Sequence, residues 1–156
     1  MKKYKLRKDL EHPTYKNLYR IEALRDFGNV KKGDIGGYIE HEDNLSHEGD
    51  CWVYEDALVF EKAHVSGNAH VFGKAHVSGK ARVSGDAYVS GDAWVYGHAR
   101  VYGKAKVHGH AWAGGQSDIS DDIKLYEDEV YKNITLPEIP RIIRESELYK
   151  VLENNG

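Results

Sequence analysis

An alanine recurs every six residues from Ala57 to Ala111, each is followed two positions later by a valine or, at the end, Ala113, and a glycine stands two positions after most of those residues, from Gly67 to Gly115. Glu61 is the one break in the glycine row. The motif is A-x-V-x-G-x. A beat of six excludes an amphipathic helix, which repeats near 3.6, and a long flat strand gives no reason for an obligatory glycine. A short strand followed by a sharp corner satisfies it. Ala and Val point inward, the residue between them points outward, and Gly with its successor takes the corner, where positive φ costs glycine least. Three such sides close a triangular coil of 18 residues, and successive coils stack about 4.8 Å apart through parallel backbone pairing, which makes a solenoid.

The repeats from Ala57 to Gln116 resemble the hexapeptide-repeat family, the parallel β-helix of bacterial acyltransferases and γ-class carbonic anhydrases. The left hand of the helix is what that resemblance implies, since the spacing itself is indifferent to hand. The beat continues outside the glycine row: Ile39, Leu45 and Cys51 fall in the alanine register, and Ile119, Ile123 and Leu125 keep inward phase. The expected fold is all-β, a left-handed parallel β-helix of about five 18-residue coils over 39–128. A strand-and-turn cap over 1–38 and a C-terminal tail with a short helix over 129–156 complete it. In the cap, Lys3 to Leu6 and Leu18 to Leu24 read as strands around a turn at His12, Pro13 and Thr14, and Gly33-Asp34 with Gly36-Gly37 reads as a second turn. Pro137 and Pro140 break the beat, and Arg141 to Leu152 reads as a capping helix. The leader LYRIEALRDFG, VKKGDIGGYIE and NLSHEG is similar to hexapeptide-repeat proteins of phages and prophages, some labelled only as transferases. That resemblance implies a phage protein acting on a host's chemistry, and it assigns no catalytic residue.

With 156 residues, 22 Lys+Arg and 25 Asp+Glu, the chain has room for one domain and too balanced a charge for a nucleic-acid tail. No apolar run approaches a membrane span. The basic start, Met1 to Lys8, lacks an apolar stretch behind it, so a cytoplasmic address in a bacterial host is expected. A single cysteine, Cys51, offers neither a disulfide nor a CxxC pair. Only Thr14 and Thr135 are threonines, so a threonine-ranked ice-binding face is excluded as well.

Stacking outward positions at a spacing of 18 gives three faces. The first is aromatic, with Leu58, Phe60, His76, Trp94, Tyr96 and Trp112; exposed stripes of this kind mark interfaces, and the family resemblance implies a homotrimer, so Leu58, Phe60, Trp94, Tyr96 and Trp112 are assigned to subunit contact. The alternative is packing against the chain's own ends. The second mixes Trp52, Tyr54, His70, Phe72, Tyr88, Lys106 and His108, as ordinary strand formers do. The third carries Lys62 with His64, Lys80 with Arg82, and His98 with Arg100, at one phase of three successive coils. Residues 57–116 hold a charge of +4 against −7 for the rest. Cations in register suit a phosphorylated, nucleotide-like anion, with Tyr102, Ser66 and Ser84 as added donors. A solvated face balanced by the acidic segment that starts at Asp118 is the competing account.

Nine histidines raise zinc, but stacked ligands need a spacing of 18 and no histidine of the solenoid has another at that distance, so no metal is expected. An acyltransferase would use acetyl-CoA and one histidine as general base, for which His98, His108 and His110 qualify by residue type only. The repeats run without an inserted loop to build a pocket. The reading is therefore a homotrimeric binding protein without cofactor, holding a small anion at the grooves between subunits with Lys62, His64, Lys80, Arg82, His98, Arg100 and Tyr102. Acyl transfer and a structural scaffold are the alternatives.

Overall fold

The computed structural model describes residues 2–121 and 123–125. Within them the chain is β throughout apart from one turn of 3-10 helix at Glu42–Asn44. Two-residue strands recur every six residues from Trp52–Val53 to Lys124–Leu125 and assemble into three parallel sheets, one per side of the triangle. The pairing step is 18 residues: His64 lies beside Arg82 and Arg82 beside Arg100, while Trp94 lies beside Trp112. Counted from Ile39 to Leu125, fifteen sides make five coils.

The residue types follow from the cross-section. Every alanine from Ala57 to Ala111 and every valine from Val59 to Val107 is buried. Valine takes the strand position, where branching at Cβ suits an extended backbone, and alanine fills the narrower space beside the corner. Each corner hands its backbone groups to the next coil, as where the Asp86 N–H donates to the Gly103 carbonyl at 2.7 Å. Glu61, which interrupts the glycine row, adopts the same left-handed turn at φ +57°, and its Oε1 accepts the Gly79 N–H at 3.1 Å. Glu55 does likewise toward Gly73, so a carboxylate on the neighbouring amide offsets the strain glycine would have avoided.

Three longer strands precede the coils: β1 (Tyr4–Glu11), β2 (Tyr19–Ala23) and β3 (Ile35–Ile39). β1 and β2 pair antiparallel, β2 pairs antiparallel with β3, and β3 runs parallel to Leu58–Val59. The cap therefore prolongs one side of the solenoid as a seven-stranded sheet. β1 runs to Glu11 and not to Leu6 because its charged half is an edge that solvent tolerates, where Arg7 pairs with Glu22 at 2.6 Å and with Asp9 at 2.7 Å.

Two expectations are corrected here. Gly36 and Gly37 form strand and not turn; a Cβ on Gly36 would stand 2.5 Å from the Val53 carbonyl oxygen and 2.9 Å from the Trp52 ring, so the glycines admit a close backbone approach. Ile39 and Leu45 occupy the valine register, opposite Val59 and Val65 at a step of 20 residues, because the corner between Leu45 and Cys51 is two residues longer than those above it. That corner wraps a buried lysine: Lys3 Nζ donates to the Cys51 carbonyl at 2.7 Å and the Gly49 carbonyl at 3.2 Å, with Cys51 Sγ at 3.4 Å and the Phe27 ring beneath. Burial lowers the Lys3 amine below its ordinary value and raises the Cys51 thiol. The capping helix expected at Arg141–Leu152 lies outside the described residues.

Histidines tie the cap down in their neutral form. His12 Nδ1 accepts the Thr14 and Tyr15 N–H groups, and His47 Nδ1 accepts the Lys3 N–H at 3.1 Å while its ring stacks on Tyr4 at 4.2 Å. Burial holds His12, His47 and His70 below the ordinary histidine value of 6.5. With the folded value lowered, the unfolded chain binds more protons near and below pH 6.5. The contribution is thus complete above that pH and is lost as pH falls through the folded values. Calorimetric melting scans from pH 8 to 5 are expected to show a flat plateau and then a falling Tm, and His47→Asn should shallow the fall. A Tm independent of pH would contradict it.

Candidate functional site

The third face holds an open groove of about 640 Å³ lined by Lys80, Arg82, His98, Arg100, Gln116 and Asp118. Two columns build it. Arg82, Arg100 and Asp118 are outward residues of three adjacent strands in strict register, one rung apart. Lys80, His98 and Gln116 stand on the corners that lead into those strands, and they too rise in register, since the Lys80 N–H donates to Gly97 O and the His98 N–H to Gly115 O, both at 2.7 Å. Valines at 83 and 101 and Ile119 anchor each strand from inside. The groove is thus two rows of polar side chains on a rigid backbone.

Its charge is unbalanced. Three permanent cations face one carboxylate, and Arg100 Nε lies 3.8 Å from Asp118 Oδ1, an ion pair too long for a hydrogen bond. Among the described residues Lys80 and Arg82 have no carboxylate within 4.0 Å. Like charges directly opposite on neighbouring strands are destabilising, so the Arg82–Arg100 rung is a cost that a bound anion would remove.

Of the residues assigned to ligand binding, Lys80, Arg82, His98 and Arg100 meet in the groove. Lys62 and His64 continue the two columns one coil below it, where His64 Nδ1 donates to the Asp43 carbonyl at 2.6 Å. Tyr102, 39% exposed, stands two residues beyond Arg100 on the same face and outside the groove lining. Gln116 and Asp118 were missed as lining residues, although the step of 18 from His98 and Arg100 points to both. Of the remaining histidines proposed for catalysis, His110 Nδ1 lies 3.6 Å from Asp92 Oδ2 on an exposed corner of another edge, and His108 projects from the second face. The three do not converge. Among the described residues no group of three or more His, Cys, Asp or Glu is placed to hold a metal ion.

The aromatic face is placed differently from an exposed stripe. Leu58 and Phe60 are buried against Leu18 and Tyr38, with Tyr15 of the β1–β2 turn packed on them. Trp94, Tyr96 and Trp112 are also buried within the single chain, the two tryptophans stacked flat at 5.0 Å and Tyr96 edge-on to Trp112. The five residues assigned to subunit contact are thus already buried in one chain, and for Leu58 and Phe60 the cover is the chain's own N-terminal part, as the alternative had it.

The repeat also has known relatives. Residues 81–97 and 93–109 match the family described as the YdcK beta solenoid repeat. The chain is 40% identical over 63 aligned positions to an "Uncharacterized acetyltransferase YdcK" of Escherichia coli (strain K12). The alignment covers 35% of this chain and 19% of that protein, so the chain matches about a fifth of the relative's length. Repeat match, relative and coil geometry agree on the fold, a parallel β-helix built of six-residue repeats. Among the described residues no helix is long and apolar enough to cross a membrane.

Proposed function

We propose that the chain is a binding protein for a small phosphorylated anion, seated in the groove of the third face. The observation that carries this reading is the Arg82–Arg100 rung, two guanidiniums in register beside Lys80 and facing one carboxylate. Guanidinium forks bind phosphate oxygens in pairs, and each charge-assisted bond contributes about 1.5–3 kcal/mol net. Three converging cations bring a phosphate ester to roughly micromolar affinity, which one alone does not. All six lining residues of the groove come from one chain, whereas the sequence placed the anion between subunits. Interference with a host nucleotide signal is a role the leader's resemblance suggests, and it adds no residue to the site.

Titration calorimetry of the whole chain with pyrophosphate, nucleotides and CoA tests the reading. At least one phosphorylated compound should bind, and Arg82→Ala with Arg100→Ala should abolish binding while leaving the melting temperature unchanged or raised. If nothing phosphorylated binds, or the double variant binds as well as the parent, the groove is a solvated face.

Acetyl transfer is the second reading, favoured by the name of the Escherichia coli relative and by His98 beside the groove's cations. The pyrophosphate of CoA would then lie on Arg82 and Arg100, with His98 as general base. Turnover of acetyl-CoA that is lost in His98→Gln, with CoA still bound, would favour it over simple binding.

A further inference from the structure

The two ends of the groove differ in chemistry, and the difference selects a ligand. Lys80 and Arg82 make the lower end purely cationic, whereas Gln116 and Asp118 make the upper end a donor beside a pair of acceptors. Between Gln116 and Asp118 lies Ser117, buried with its Oγ donating to the Gly114 carbonyl, so the residues on either side of it both face outward. From Arg82 to Asp118 there are two rungs, roughly 10 Å. That is comparable to the separation between the 5′-phosphate of a mononucleotide and the Watson–Crick edge of its base.

We propose that the groove is a guanine-nucleotide site, with the phosphate on Lys80, Arg82 and Arg100 and the base edge on Gln116 and Asp118. This rests on the phosphate reading above. A carboxylate only accepts, and it has two oxygens side by side. Guanine alone among the common bases offers two adjacent donors, N1–H and the N2 amine, with the O6 acceptor next to them. Asp118 takes the two donors and the Gln116 amide donates to O6. Adenine and cytosine place an acceptor beside their amine and would set a lone pair against the carboxylate, and uracil flanks its one N–H with carbonyls. At 3.8 Å from Arg100 Nε, Asp118 Oδ1 is not taken up by a short hydrogen bond to that guanidinium.

Equilibrium dialysis or calorimetry of the whole chain with pyrophosphate, GMP, AMP and inosine monophosphate separates the possibilities. GMP should bind about tenfold or more tightly than AMP, with inosine monophosphate, which lacks the N2 amine, between them. Asp118→Asn should erase that preference, because an amide offers one donor and one acceptor and fits adenine's edge equally well, while pyrophosphate should bind more tightly once the opposing charge is gone. Equal binding of GMP and AMP, or a preference that survives Asp118→Asn, overturns the guanine assignment and leaves the phosphate reading standing if pyrophosphate binds. If pyrophosphate and all three nucleotides fail to bind, the phosphate reading falls and the guanine assignment falls with it.

Discussion

Gly85→Val should cost about 3 kcal/mol or more and lower the melting temperature by roughly 10 °C. Gly85 turns its corner at φ +63°, and a Cβ there would stand 2.9 Å from the Gly103 nitrogen and 3.1 Å from its carbonyl oxygen. Both are backbone atoms of the next coil, so no side chain can swing aside. The coil above would have to lift, at the expense of the bond from the Asp86 N–H to Gly103 O. A β-branched residue at positive φ adds its own strain. Gly33→Ala separates the two terms: φ there is +94°, but nothing lies within 4 Å of the added carbon, so only the backbone penalty applies and the loss should be distinctly smaller. Thermal scans of the two variants check this, and equal losses would mean that close stacking of corners contributes nothing.

Trp52→Ala should be the most damaging change outside the corners, with a loss of about 3–5 kcal/mol. The indole is 1% exposed and joins cap to first coil: Phe27 meets it edge-on at 5.1 Å, Tyr4 at 6.2 Å, and Gly36 is a glycine because the ring presses on it. Coils in a solenoid depend mainly on their neighbours, so the effect should be local. Hydrogen exchange is expected to quicken first in β1–β3 and to leave amides of the middle coils, such as those of residues 83 to 101, protected. Uniform deprotection along the chain would show instead that cap and coils unfold as one unit.

These two substitutions mark where the sequence could be read and where it could not. Residues that obey the beat were legible to the atom: Val83, Val101 and Ile119 point inward, Arg82 and Arg100 stand in one column, and the corners fall at the glycines. Periodicity determines phase, and phase determines face. The first coil was misread because its long corner changes the step to 20, and two added residues between Leu45 and Cys51 leave no mark in composition. What covers Leu58 and Phe60, a second copy or the chain's own ends, was left open for a different reason. It depends on where the turn carrying Leu18 and Tyr15 comes to rest, a tertiary fact with no periodic signature. Asp118 was visible in the sequence but was weighed as part of an acidic run, whereas register, and not neighbourhood along the chain, decides which charges meet.

The long corner at residues 46–50 also answers a problem that any chain of near-identical hexads faces. A strand of A-x-V-x-G-x can slide by one whole coil and still bury Ala and Val, so the repeats alone do little to choose among staggered alignments. Only one alignment places Gly49 under Gly67, gives the Asp50 N–H to the Asn68 side chain, and closes two carbonyls over the Lys3 ammonium. A buried amine left without those carbonyls would be costly, so every slipped alignment carries a penalty that the regular hexads cannot impose. The irregular corner is thus the chain's index mark, the place from which all later coils are counted.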